Sequence, residues 1–347
     1  MENKGRFGAL SCAARGEAVC TSIWKERKTL KKTARLQELL HSGKFFPMMG
    51  GGCAGHARIA ELNGFECAYM SGGSTAVLIH GIPDAGLVTM NDLAANAERM
   101  ANCISIPLVA DGDQGFGNAI NVRRTVQTFI RAGVSGIQIE DQPFPKRCGI
   151  VKGKEVIPIE EAVGKYRAAV DAKNEIDPDF VIIARCDARG ASGGSLEDVI
   201  KRVKAYEYAG VDAFLPEALA SREEVKAVCD AVKKPVIAGL GLLKPVPSFD
   251  ELQALGCASA IYAAQTTVFG LQASWEFACD FKLRGGRAVA DWMKKLSDSP
   301  MPHIFDLVNF AQVAEWEEKY LPADSMKKYQ DSMGPYDPRE RGVATAK

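Results

Sequence analysis

The chain lacks any apolar run near the roughly 18 residues that a membrane-spanning helix needs; its longest runs are strand-sized. It lacks a surplus of either charge. Lys+Arg and Asp+Glu are both 43, so the formal net charge is zero and nothing draws the chain onto nucleic acid or an anionic membrane. Histidine is scarce: His41, His56, His80 and His303 lie far apart, with no metal-ligand spacing. Ten Cys are present but stand singly, without a Cys-x-x-Cys pair, which argues against zinc fingers and a disulfide scaffold. Any metal therefore falls to carboxylates and is a hard ion. Free thiols without a secretory signal predict a reducing, cytoplasmic setting. A mitochondrial presequence is the alternative, and Glu2 and Glu17 argue against it.

What is present is a repeat. Residues 1–28 form an N-terminal extension without periodicity, and a helix is expected from about Thr29 to Gly43. Eight short apolar runs follow: Phe45–Met49, Cys67–Met70, Pro107–Ala110, Gly136–Ile139, Phe180–Ala184, Asp212–Leu215, Pro235–Ala238 and Ala258–Ala263. They do not alternate strictly, as befits strands covered on both faces. Helical stretches separate them, four opened by capping signals at Thr89/Asp92, Ser195/Asp198, Ser221/Glu224 and Ser248/Glu251. Eight strands alternating with helices predict an α/β fold, a (β/α)8 TIM barrel. Further helices are expected at about 268–285, 287–296 and 303–319, so the barrel with its C-terminal helices spans 29–320 and a polar tail spans 321–347.

One competing motif is Gly50-x-Gly52-x-x-Gly55, which follows a strand and opens a helix, as a dinucleotide fingerprint does. The next strand ends in Met-Ser-Gly with no acid for a ribose, so the glycines read as a tight first βα loop.

Barrel chemistry gathers at the C-terminal ends of the strands. Those ends carry Ser71-Gly72-Gly73, Asp111-Gly112-Asp113, Glu140-Asp141, Arg185-Cys186-Asp187 and Glu217. Acids facing one mouth repel one another, and a divalent cation such as Mg2+ relieves that; ion pairing of Arg185 with Glu217 is the alternative. Ser71-Gly72-Gly73 opens a helix, where backbone N–H groups favour an anion; an ordinary N-cap is the alternative. Arg185 offers a fork for a carboxylate. The longest loop, from Asp141 to Lys154, carries Cys148 beside Lys146 and Arg147, cations expected to lower the thiol pKa. A catalytic or an inert Cys148 both fit this context.

From Lys44 to Phe310 the chain resembles the isocitrate lyase/phosphoenolpyruvate mutase superfamily, in the branch of 2-methylisocitrate lyase, 2,3-dimethylmalate lyase and oxaloacetate hydrolase. The matching pieces, in the family's order and spacing, are YMSGG (69–73), GIPDAGLVT (81–89), ADGDQGFGN (110–118), GIQIEDQPFPKRCG (136–149), IIARCDA (182–188) and FLPEAL (214–219). The resemblance implies a homotetramer of barrels that exchange their last helix. It implies Mg2+, with Mn2+ as the alternative, at Asp111 and Asp113, helped by Glu140 and Asp84. It implies a small carboxylic-acid substrate cradled by Ser71, Gly72 and Gly73, with Gly149 and Gly239 lining the site. Arg185 and Glu217 orient the substrate, and Cys148 serves as the proton donor on a mobile loop.

The departures lie in the other half of the site. The lyases read Cys-Gly-His where this chain has Cys148-Gly149-Ile150, and often His where it has Gln138. Their strand-7 Asn-x-Thr-Glu motif is replaced by Gly239, Gly241 and Leu242, and an Arg after strand 8 by Val268. Their first loop has an aromatic-Asp pair where this one has Gly52-Cys53. The implied function is a Mg2+-dependent carbon–carbon lyase of a small 2-hydroxy acid whose distal group is less anionic than that of methylisocitrate. The alternatives are an oxaloacetate-type hydrolase or decarboxylase, a phosphonomutase-like enzyme, or a paralogue without turnover.

Overall fold

All eight expected strands form, each end within two residues of its expected place: β1 Phe46–Gly51, β2 Cys67–Met70, β3 Leu108–Asp111, β4 Gly136–Glu140, β5 Val181–Cys186, β6 Ala213–Pro216, β7 Ile237–Gly239 and β8 Ser259–Tyr262. The computed structural model describes residues 30–297, 299, 301 and 303–340. The 1–28 extension and the end of the 321–347 tail lie outside the described residues.

Every pairing is parallel, in the order β6-β5-β4-β3-β2-β1-β8-β7. The remaining seam, β6 to β7, is closed by one parallel bridge, Phe214 to Val236. The result is the expected (β/α)8 barrel.

The helices in chain order are α1 Lys32–His41, α2 Ala54–Leu62, α3 Gly72–Thr75, α4 Met90–Asn102, α5 Ala119–Arg131, α6 Ile159–Ile176, α7 Leu196–Tyr208, α8 Arg222–Ala231, α9 Phe249–Ala254, α10 Gln265–Arg284, α11 Gly286–Ser297, α12 Ile304–Leu307, α13 Phe310–Tyr320 and α14 Lys328–Asp331. All four capping signals act: Thr89, Ser195, Ser221 and Ser248 each accept the backbone N–H three residues on. Each such cap is worth about 1 kcal/mol.

Two apolar layers hold the barrel. One lies between strands and surrounding helices, with Val126, Phe129, Tyr166 and Val203 fully buried. The other fills the lumen: Phe46, Met48, Tyr69, Val109, Ile183, Leu215, Ile237 and Ile261, closed below by Leu36, Leu39 and Leu40 of α1. Side chains alternate faces along a strand. Counting by twos from the lumen residues leads at the mouth to Ser71, Asp111, Arg185, Glu217 and Gly239. The same alternation that packs the lumen therefore aims these residues at one another.

The glycines of the first loop answer to packing. A Cβ on Gly50 would stand 2.5 Å from the carbonyl oxygens of Tyr262 and Ala263, and one on Gly52 would stand 2.5 Å from the Ser74 carbonyl. Close approach of β8 and α3 demands them, with no nucleotide required.

After β8 the character changes. On α10 only Thr267 is buried, while Phe269, Trp275 and Leu283 are exposed. Trp316 and Tyr320 on α13 are exposed as well. The described part of the tail folds back on α13 and α12, with Tyr329 donating to Glu317 and Tyr336 donating to Asp306 at 2.7 Å. Among the described residues no helix is long and apolar enough to cross a membrane.

Candidate active site

The ends of β2, β3 and β4 bring the expected acids together. A Cβ on Gly72 would lie 3.0 Å from Asp111 Oδ2 and 3.2 Å from Asp113 Oδ1, and one on Gly73 would lie 2.9 Å from Asp84 Oδ2. Glycine alone lets the α3 backbone approach the carboxylates so closely. The Gly72 N–H donates to Asp111 Oδ2 at 3.1 Å, and the Ser71 hydroxyl caps α3 by accepting from the Ser74 N–H at 3.2 Å. Ser71 thus does serve as an N-cap here, and one amide of the expected cradle is turned on Asp111. Asp113 takes φ 44°, a left-handed conformation that Asp tolerates better than most residues. Such strain collects at functional sites.

The acids are not left to repel one another. Lys146, from the long loop, is buried among them: its ammonium contacts Asp84 and lies 2.8 Å from Asp113 Oδ1. Burial pushes the Asp113 carboxyl up to about 7, against the pull of Lys146 and with the push of Asp111. Burial likewise holds Glu140 well above the usual carboxylate range, partly offset by Arg185. Lys146 was read from sequence only as a neighbour of Cys148, since nothing in a loop's sequence says which way its lysine points.

Arg185 is engaged differently from expectation. Its fork grips Asp187, Nε to Oδ2 at 2.9 Å and Nη2 to Oδ1 at 3.0 Å, and Nη1 lies 3.3 Å from Glu140 Oε2. The alternative pairing of Arg185 with Glu217 is not among the described ion pairs; Arg185 pairs with Asp187 and Glu140 instead. The signal for Asp187 was visible: two residues past Arg185, it continues the same strand face. Asp141 turns away instead, accepting from the Tyr206 hydroxyl at 2.6 Å and from the Asp187 N–H at 2.8 Å.

The far side joins Glu217, Gly239, Gly241 and the loop. A Cβ on Gly239 would stand 2.9 Å from Glu217 Oε2, and one on Gly241 would stand 3.4 Å from Glu217 Oε1 and 3.3 Å from Ile150 Cγ2. Burial raises the Glu217 pKa, with Arg185 opposing. Gly149 lies over both groups, its missing Cβ 2.7 Å from Arg185 Nη2 and 3.1 Å from Glu217 Cγ. Val268 is exposed on α10, and Leu242 is exposed beyond β7.

Cys148 is brought to the acid side: its N–H donates to the Asp84 carbonyl at 3.2 Å. The expected depression of its pKa is overturned. Burial raises it first, the Ile150 N–H lowers it, and the Asp84 charge and hydrogen bond raise it further. Lys146, committed to Asp84 and Asp113, lowers it by less than burial and Asp84 raise it, and Arg147 is exposed. A raised pKa favours the protonated thiol, the state a proton donor requires.

Both Glu140 carboxylate oxygens and the side-chain amide of Gln138 are buried without a hydrogen-bond partner among the described residues. Such orphans call for water or an ion. Among those residues no group of three or more His, Cys, Asp or Glu is placed so that it could hold a metal ion by itself. An all-oxygen site with few protein ligands suits Mg2+, which keeps several waters and takes substrate oxygens.

The family model for phosphoenolpyruvate phosphomutase matches residues 36–278. The chain is 34% identical over 294 residues to 2,3-dimethylmalate lyase of Eubacterium barkeri, covering 84% of this chain and 99% of that one. It is 42% identical over 212 residues to 2-methylisocitrate lyase of Escherichia coli (strain K12), covering 60% and 70%. A solved structure of phosphonopyruvate hydrolase with oxalate and Mg2+ superposes with a TM-score of 0.75 at 30% identity, covering 84% of this chain and all of that one (100%). With its barrel, its acid-lined mouth and a match over most of its length, this chain belongs to the phosphoenolpyruvate phosphomutase family, within the PEP mutase/isocitrate lyase superfamily.

Proposed function

We propose that the protein is a Mg2+-dependent carbon–carbon lyase that cleaves a small 2-hydroxy acid into a 2-oxo acid such as pyruvate and a second carboxylic acid. The observation that carries this is geometric: Asp111 and Asp113 lie against the Gly72 backbone and Asp84 against Gly73, and the Cys148 N–H is tied to the Asp84 carbonyl at 3.2 Å, which brings the thiol to the acid side of the mouth. Asp111 and Asp113 would hold the ion in place of the Lys146 ammonium that now contacts Asp113 and Asp84, with Glu140 and Asp84 acting through water. The bound ion supplies Lewis acidity to the oxygens of the 2-hydroxy acid.

The chain's own groups do the rest. Ser71, Gly72 and Gly73 bring backbone close to the substrate's carboxylate. Arg185, held rigid by Asp187, and Glu217 orient the bond to be broken. As that bond breaks, the hydroxyl proton passes to an ionised carboxylate of the mouth and the 2-oxo acid forms; the other fragment departs as an enolate and takes the Cys148 proton, which solvent later restores. The loop over the site keeps water from that enolate.

The relatives' names support acids of this class, and Gly239, Gly241 and Ile150 support an uncharged distal group. The exposed apolar residues of α10 and α13 support burial between subunits, hence a homotetramer with exchanged helices. The test is a panel of 2-hydroxy acids assayed for pyruvate or glyoxylate release with Mg2+, alongside oxaloacetate assayed for oxalate and CO2. Release from oxaloacetate alone would replace the lyase by a hydrolase or decarboxylase. Sedimentation at micromolar concentration tests the tetramer; a monomer would refute it.

A further inference from the structure

The Cys148 loop is also tied down from the β5 side. Lys154 lies just past the loop, and its backbone is fixed there: it forms a parallel bridge with Ala191, and its carbonyl accepts from the Ser192 N–H at 3.0 Å. From this anchor the side chain turns back into the protein, only 4% of the residue being exposed. Its ammonium donates to the Gly149 carbonyl. Its Cε and Nζ both lie 3.0 Å from where a Cβ on Gly190 would stand, so the stem runs through a gap that a glycine leaves open. Burying an ammonium is costly unless it is paired. The described hydrogen bond that offsets this cost goes to the loop's backbone.

The carbonyl that Lys154 holds belongs to the peptide joining Gly149 to Ile150. The N–H of that same peptide faces the Cys148 sulfur. Gly149 in turn covers Arg185 and Glu217. Upstream, the loop is tied by Lys146 to the acids and by Gln142, which exchanges hydrogen bonds with the Arg147 backbone at 2.9 and 3.0 Å. Downstream of Cys148, Lys154 supplies the charged tie.

We propose that Lys154 is a positioning residue for the Cys148 loop: by clamping the Gly149 carbonyl to the β5 side of the mouth, it fixes the Cys148–Ile150 turn over the site. Its effect on turnover rests on the reading of Cys148 as proton donor; its effect on the loop does not.

The experiment uses the full chain with Mg2+ and oxalate, and trypsin as the probe. Arg147 is an exposed cleavage point within the loop, and Lys233 is an exposed one before β7, away from the loop. In Lys154→Met, cleavage after Arg147 should rise roughly tenfold, the scale of one charge-assisted hydrogen bond, with cleavage after Lys233 unchanged. With the best 2-hydroxy acid, kcat should fall by a similar factor while KM moves far less. Lys154→Gln, which keeps a donor without the charge, carries the same readout if the Met variant does not fold, with a smaller effect. Cleavage after Arg147 at the parent rate, or rising in step with Lys233, overturns the proposal. So does faster cleavage with kcat unchanged, because the clamp would then position nothing the reaction uses. A parent protein that turns over no 2-hydroxy acid defeats the proposed function instead, and the proteolysis still decides the clamp.

Discussion

On one side of the barrel mouth, Asp111 and Asp113 at the end of β3 lie buried against the Gly72 backbone, and Glu140 is buried at the end of β4. On the other side, β7 presents Gly239 and Gly241, which offer no side chain at all, and Ile150 reaches over them from the loop. The two cations nearest that side are already engaged, Arg185 by Asp187 and Glu140, and Lys154 by the Gly149 carbonyl. The acid side is the one proposed to hold a cation and, through it, an anionic substrate. Among the described residues the glycine side offers an added carboxylate no free charged partner. The comparison separates what the site does from what it accepts.

The largest effect should come from breaking the acid side. Asp113→Ala, or an excess of chelator, should lower kcat by roughly three orders of magnitude, since a Lewis-acid contact is worth several kcal/mol. Magnesium titration by calorimetry should show binding lost in the variant. Full activity in chelator would sink the metal assignment.

Next comes the thiol that links the two sides. Cys148→Ser should keep its affinity for oxalate with Mg2+ while kcat falls by roughly two orders of magnitude or more, the usual scale for a lost acid–base group. An unchanged kcat would make the thiol incidental.

The glycine side sets a smaller factor. A buried distal carboxylate without its charge-assisted contact loses about 1.5–3 kcal/mol, or roughly 10- to 150-fold in kcat/KM. Isocitrate and 2-methylisocitrate should therefore fall behind 2-alkyl- and dialkyl-malates by that margin. A tricarboxylate that proves the best substrate would mean that Arg185 or Lys154 turns from its present partner to meet it.

The smallest effect is on stability. Burial lifts Asp113 from 3.8 to about 7, so the fold favours its protonated form. Its contribution is whole below about pH 4 and is lost as pH rises through 7. The metal-free protein should melt a few degrees lower at pH 8 than at pH 5, and Mg2+ should raise the melting temperature more at pH 8. Equal Mg2+ shifts at both pH values would show that Asp113 does not take part.

Strand positions, helix caps and the run of polar strand ends were legible in the sequence because each depends on local rules: apolar runs covered on both faces, side-chain capping of free N–H groups, polar residues where a run ends. That Ser71, Asp111, Arg185, Glu217 and Gly239 share one mouth follows from the alternation of side chains along each strand once the strands close into a barrel. What only the tertiary structure decided is how the charges were shared among them. Lys146 swings from its loop onto Asp84 and Asp113, Arg185 spends its fork on Asp187, and Cys148 is half-buried beside Asp84 so that its pKa rises rather than falls. Sequence spacing states which residues are near along the chain. Charge partners and desolvation depend on distances through space, and those are set only when the loop lies down on the barrel.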